Sequence, residues 1–168
     1  MTIDLSRIEV IKSQTLQILE MSMTADPPVV AANLAKLFDF DIVSMIFGPK
    51  HAGCVAGFID IDRKEIVINT EDYPVQQNFI IAHGLGHYVL EHYKDPSFET
   101  KYSVILRDAC SVGQTPMELE ANLFADNLLV PSIFLQKYLN KYPYATDQEL
   151  SNIFGVPPEV ICRRRLYV

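Results

Sequence analysis

Cysteine, clustered basic charge and long apolar runs are scarce in this sequence, and each shortage excludes something. Only three cysteines occur in 168 residues, Cys54, Cys110 and Cys162, none of them near another. Without a CxxC pair there is neither a thiolate zinc site nor a dithiol redox motif. Three isolated thiols also suit a reducing, cytoplasmic setting better than a disulfide framework. Lys and Arg number 14 against 21 Asp and Glu, for a net charge of −7, which argues against a broad nucleic-acid surface. The one basic cluster, Arg163-Arg164-Arg165, reads as a solvated helix end. No stretch approaches the ~20 apolar residues of a membrane span, and charge interrupts the first twenty residues throughout. Neither a membrane anchor nor a cleaved leader is expected.

What is present is an ordinary globular balance, 49% hydrophobic and 21% charged, enough to bury a core in one domain. A single domain over residues 1–168 is expected, with a core at 27–135 and a C-terminal helical piece at 136–168. Leu5, Ile8, Ile11, Leu16, Ile18 and Leu19 recur with helical spacing over residues 4–23. Pro27 and Pro28 are predicted to open a second helix through Val30, Leu34 and Leu37. Residues 41–47, 54–61 and 65–69 are rich in Val, Ile and Phe and read as a small antiparallel-rich sheet, with Asp62-Arg63-Lys64 as a hairpin turn. Helical periodicity returns after Pro74, through Phe79, Ile80, His83, His87 and Leu90. Residues 93–115 read as irregular. A helix then runs from 116 to 130 and is stopped by Pro131. Two short helices, divided by Gly155, Pro157 and Pro158, close the chain, the first opened by the capping-box pair Thr146 and Glu149. Helices, then sheet, then helices is an α+β order.

The chemistry concentrates in Ala82-His83-Gly84-Leu85-Gly86-His87. Residues four apart on a helix share a face, so both imidazoles can reach one metal ion. Two glycines inside a helix cost roughly 1 kcal/mol each relative to alanine and call for a local reason. For Gly86 the reason offered is the approach of a strand or substrate. Gly84 has no such excuse, and it stands where a peptidase with an HExxH motif keeps its general base. A third ligand can come from the helix at 116–130, which carries Glu118, Glu120 and Asp126. Glu118 lies at the edge of the apolar arc Met117, Ala121, Phe124, Ala125 and Leu128. A core-facing carboxylate there is costly unless paired or bound to metal, so Glu118 is placed ahead of Glu120. Glu91 lies about 12 Å along the axis from His83 and is a poorer choice.

With these residues assembled, the chain resembles the ImmA/IrrE family of zinc metallopeptidases. Residues 82–87 match the family's A-H-E-L-G-H except at Gly84, and His92 follows as another histidine often does. Glu118-Leu119-Glu120-Ala121-Asn122-Leu123-Phe124-Ala125, leading to Pro131, is similar to its E-x-x-A-N-x-F-A element. The segment 65–69 resembles the family's I-x-I-N strand, and 150–166 its last helical piece, so the likeness spans residues 27 to 166. It implies a zincin-like core and Zn²⁺ held by His83, His87 and Glu118, with Asn122 supporting from outside the ligand set. It also implies a protein or peptide substrate such as a transcriptional repressor, pairing with a sheet edge that 54–61 or 65–69 would supply.

The departure is Gly84, where the family has its catalytic glutamate. Glycine cannot take a proton from water, and no spacing places Glu91, Glu120 or Asp108 to replace it. A zinc-binding pseudoenzyme with little or no hydrolysis is expected. The competing readings are a binding module that uses the same groove without cutting, and a DNA-binding regulator acting through the C-terminal helices.

Overall fold

The computed structural model describes residues 3–48, 54–95, 102–106 (as backbone) and 115–167. Cys110 and Asp108 lie outside them. The first apolar stripe forms α1 (Leu5–Met21), which buries Ile11, Ile18 and Leu19. The second helix starts later than its prolines suggest. Pro27 and Pro28 precede it, and α2 (Ala31–Ala35) runs into a 3₁₀ turn at Lys36–Phe38. Its start is fixed from outside, because the Ala31 N–H donates to Asn78 Oδ1 at 2.8 Å while Asn78 Nδ2 donates to the Val29 carbonyl at 2.9 Å. An orphan donor at a helix start takes whatever partner tertiary structure offers.

The sheet comprises β1 (Asp41–Met45), β2 (Val55–Asp60), β3 (Glu65–Asn69) and β4 (Tyr102–Leu106), in the order β1-β3-β2-β4. The β2–β3 hairpin turns where expected, with Lys64 at φ 57°. Two features depart from the sequence reading. β1 pairs with β3 in parallel, Asp41 opposite Glu65, since alternation of apolar residues carries no information on pairing direction. The stretch read as irregular contains β4, which pairs with the outer side of β2. Consequently β2 and β3 have partners on both sides, and neither offers the free edge anticipated at 54–61 or 65–69. The edges are β1 and β4.

The next helix, α3 (Pro74–Val89), lies on this sheet, with residues 80 to 87 all buried. Its approach depends on Gly57 in β2. A Cβ there would meet the Val67 carbonyl oxygen at 2.5 Å and Ile80 Cγ2 at 2.7 Å, so only glycine seats the helix. α4 (Pro116–Leu129) packs on the other side of α3. Pro131 ends α4 as expected, but its carbonyl accepts the N–H groups of Phe134 and Leu135 and so begins α5 (Ser132–Lys141), a helix the sequence reading missed. α6 (Asp147–Phe154) opens on the Thr146–Glu149 capping box and ends at Gly155 with φ 64°, before α7 (Pro158–Arg165). Apolar residues from Ile11 in α1 to Ile161 in α7 form one buried cluster. Among the described residues no helix is long and apolar enough to cross a membrane. Cys54 is disulfide-bonded and Cys162 is free and exposed.

Candidate metal centre

Burial of α3 between sheet and α4 places His83 and His87 almost wholly out of solvent, at 2% and 1% exposure. Glu118 sits in the first turn of α4, where its N–H donates to the Thr115 hydroxyl at 3.2 Å. That cap aims the carboxylate back at α3. The two imidazole Nε2 atoms lie 3.0 Å apart, and Glu118 Oε2 and Oε1 lie 3.2 Å from His83 Nε2 and His87 Nε2 respectively. Bonds of ~2.0–2.1 Å to a tetrahedral ion place neighbouring ligand atoms about 3.3 Å apart. The observed spacings are close to that, so these three side chains could hold one metal ion.

The electrostatics suit a cation. Burial drives the His87 ring down to about 4 and, with its neighbour His83, outweighs the pull of Glu118. Such an imidazole is neutral at neutral pH, as a ligand must be. Burial alone would raise Glu118, but hydrogen bonds from His83 and His87 together hold its carboxyl well below the usual range. The Glu118 carboxylate thus faces a neutral His87 ring in a buried place.

The remaining candidates fall elsewhere. Asn122, one turn along α4, has Oδ1 2.9 Å from His83 Nδ1 and braces that ring. Glu120 turns away from the triad and accepts from Arg7 Nε at 2.8 Å, with Oε2 3.1 Å from His92 Nε2. Asp126 makes a two-pronged pair with Arg163, both bonds 2.8 Å. Glu91 pairs with Lys94 at the surface. Gly84 faces the sheet, where a Cβ would meet Ile59 and Ile66 at 3.6 Å, an ordinary contact. The constraint on Gly86 is α4 rather than a strand or substrate, since a Cβ would come within 3.2 Å of the Ala121 backbone.

His92 is the residue that spacing could not assign. On a continued helix, a residue five beyond His87 would turn about 140° away from it. Instead Glu91 adopts φ 60° and ψ 28°, α3 ends, and the His92 ring folds back so that its Nδ1 lies 3.0 Å from His87 Nδ1. Burial pushes the His92 ring below the ordinary imidazole value against the pull of Glu120. A third histidine close after the pair was the only sequence signal for it.

Known proteins carry the same architecture. Residues 40–165 match the family model described as the IrrE N-terminal-like domain. The uncharacterized immunity region protein 2 of Bacillus phage phi105 is 31% identical over 108 residues, which cover 63% of this chain and 63% of that relative. The match therefore spans less than two thirds of the relative's length. Among solved structures, a Mycobacterium tuberculosis transcriptional regulator shares the fold with a TM-score of 0.66 at 22% identity, over 94% of this chain and 46% of that one. With a family match over three quarters of its length, the chain belongs to the peptidase family of IrrE N-terminal-like domains.

Proposed function

We propose that the protein is a zinc-binding, metallopeptidase-like regulator that engages a repressor-type protein and hydrolyses it poorly or not at all. The observation that carries this reading is the convergence of His83, His87 and Glu118 on one point, with glycine at position 84 between the two imidazoles. Two nitrogens and a carboxylate oxygen suit zinc among the divalent ions. Bound there, zinc would polarise a scissile carbonyl and acidify a water. His83 and His87 would hold the ion by their Nε2 atoms, Glu118 would offset its charge, and Asn122 fixes the His83 ring. Among the described residues, the carboxylates weighed as a replacement base are engaged elsewhere. Gly84 has no side chain, Glu120 is engaged with Arg7 and His92, and Glu91 is at the surface with Lys94. General base catalysis is typically worth ~10²–10⁴ in rate.

The proposed partner is a regulatory protein such as a repressor, a choice supported by the likeness to a phage immunity-region protein. The single domain expected over residues 1–168 and a cytoplasmic location belong to the same proposal. Capture without cleavage, the binding-module reading, is the form the function takes if the missing base is decisive. DNA binding through α6 and α7 is disfavoured, because the three arginines are engaged internally. Arg163 pairs with Asp126, Arg164 is buried against the Val130 carbonyl and Ser132, and Arg165 pairs with Asp147 and the Ala145 carbonyl.

The test is zinc content of the purified chain and of His83→Ala, followed by cleavage assays on candidate repressors with the wild type and Gly84→Glu. Stoichiometric zinc lost in His83→Ala, and a rate at least about 10²-fold higher in Gly84→Glu, are expected. Equal hydrolysis by wild type and Gly84→Glu would refute the proposal.

A further inference from the structure

A metal-bound imidazole gives the lone pair of one ring nitrogen and keeps its proton on the other, so the partner of that second nitrogen sets tautomer and orientation. His83 has a simple partner, the Asn122 amide oxygen. His87 has a longer one. Its Nε2 faces His83 and Glu118, which leaves Nδ1 to carry the proton. That atom lies 3.0 Å from His92 Nδ1. Two ring nitrogens at this distance share one proton, so His92 accepts there and carries its own proton on Nε2. His92 Nε2 lies 3.1 Å from Glu120 Oε2, and a carboxylate accepts. Arg7 Nε donates to the same oxygen at 2.8 Å, and Arg7 Nη2 to the Leu90 carbonyl at 3.4 Å, at the end of α3. Each link then has one allowed direction. His92 is 4% exposed, so its ring is held away from competing water.

We infer that Arg7, Glu120 and His92 are positioning residues that fix His87 as a metal ligand and make α1 part of the metal centre. The inference rests on the ligand set proposed above. Its consequence is an asymmetry between the two histidines, His83 braced by a neutral amide and His87 connected through His92 to a carboxylate. Hydrogen bonding of a ligand imidazole toward a carboxylate raises its basicity as well as fixing its ring. The relay is closed by a helix outside the family match, which begins at residue 40. The metal affinity of this chain is thereby tied to residue 7, which precedes the matched residues 40–165.

The experiment is zinc competition against a chelator and the visible spectrum of the Co²⁺-loaded chain, for His92→Phe, Glu120→Gln, Arg7→Gln and the double variant His92→Phe/Glu120→Gln. His92→Phe should bind zinc about 10- to 100-fold more weakly and shift the cobalt bands. Glu120→Gln and Arg7→Gln should lose less. The double variant should bind no more weakly than His92→Phe alone, because Glu120 acts through His92. Wild-type affinity and spectrum in His92→Phe would overturn the inference, as would a Glu120→Gln loss that adds in full on the His92→Phe background. Should His92→Phe fail to fold, Arg7→Gln carries the same decision. Weaker zinc with an unchanged melting temperature of the metal-free protein supports the relay, and unchanged affinity overturns it. His83→Ala separates the two levels. Metal retained there removes the ligand set itself, whereas metal lost there but held normally by His92→Phe removes only the relay.

Discussion

Gly86 of α3 lies so close to Ala121 of α4 that a Cβ on the glycine would stand 3.2 Å from both the Cα and the carbonyl oxygen of Ala121, and 3.1 Å from Phe124 Cδ1. Two of those three atoms are backbone, so relief requires the helices to separate. Gly86→Ala is expected to destabilise by about 1–3 kcal/mol, the usual cost of overpacking, despite alanine's better helix propensity. The same separation pulls His87 from Glu118, so zinc binding should weaken as well. Chemical denaturation of the metal-free variant, paired with a zinc titration, checks both effects.

Two residues earlier the opposite sign is expected. A Cβ at Gly84 would touch Ile59 and Ile66 at 3.6–3.7 Å, and the helix gains the ~1 kcal/mol by which alanine exceeds glycine. Gly84→Ala should therefore raise the denaturation midpoint and leave zinc affinity unchanged. A midpoint at or below that of the wild type would show that glycine at 84 answers a packing need that the contacts do not reveal.

The metal-free protein should lose stability in acid, in a defined window. His87 is neutral in the fold with its titration near 4, against 6.5 for an ordinary imidazole. Between those values the unfolded chain binds the extra proton and the folded one does not, so stability falls as pH drops through that range. The full loss is on the order of 3 kcal/mol. Glu118, held below its ordinary 4.5, adds a loss of the same sign at lower pH. Bound zinc keeps His87 unprotonated and should shift the onset downward. Melting temperatures between pH 8 and pH 4, with and without zinc, test this. A metal-free curve flat between pH 7 and pH 5 would show that His87 titrates normally.

Local rules reached the ligand residues but not the groups that hold them in place. The i,i+4 spacing of His83 and His87 survives any change in how α3 packs, because both lie on one helix. Glu118 was legible for a related reason. Its carboxylate sits at the edge of an apolar arc, and such a group needs a partner. His92 was not legible, since its position depends on the left-handed conformation of Glu91, which nothing in a Leu-Glu-His stretch specifies. Glu120 looked like a rival ligand until the fold placed Arg7 beside it, 113 residues away in the chain. The sheet failed in the same way. β1 forms the expected strand, but its parallel pairing with β3 follows from β3 rather than β2 taking the place beside it, which no strand pattern encodes.

Asp126 and Arg163 join α4 to α7 through two bonds of 2.8 Å, with the Asp126 side chain 7% exposed and that of Arg163 44%. Burial raises the Asp126 carboxyl while Arg163 opposes it, so the pair is unequal. Removing the arginine leaves a buried carboxylate without its hydrogen-bonded counter-ion, which is strongly destabilising. Removing the negative charge leaves an arginine that already reaches solvent. Arg163→Met should therefore destabilise more than Asp126→Asn, and raising the pH from 5 to 8 should widen the difference, because the unpaired Asp126 of Arg163→Met is forced to ionise while the amide does not titrate. Denaturant midpoints of the two variants at both pH values decide the matter. If Asp126→Asn is the worse of the two, the carboxylate matters for something other than its pairing with Arg163.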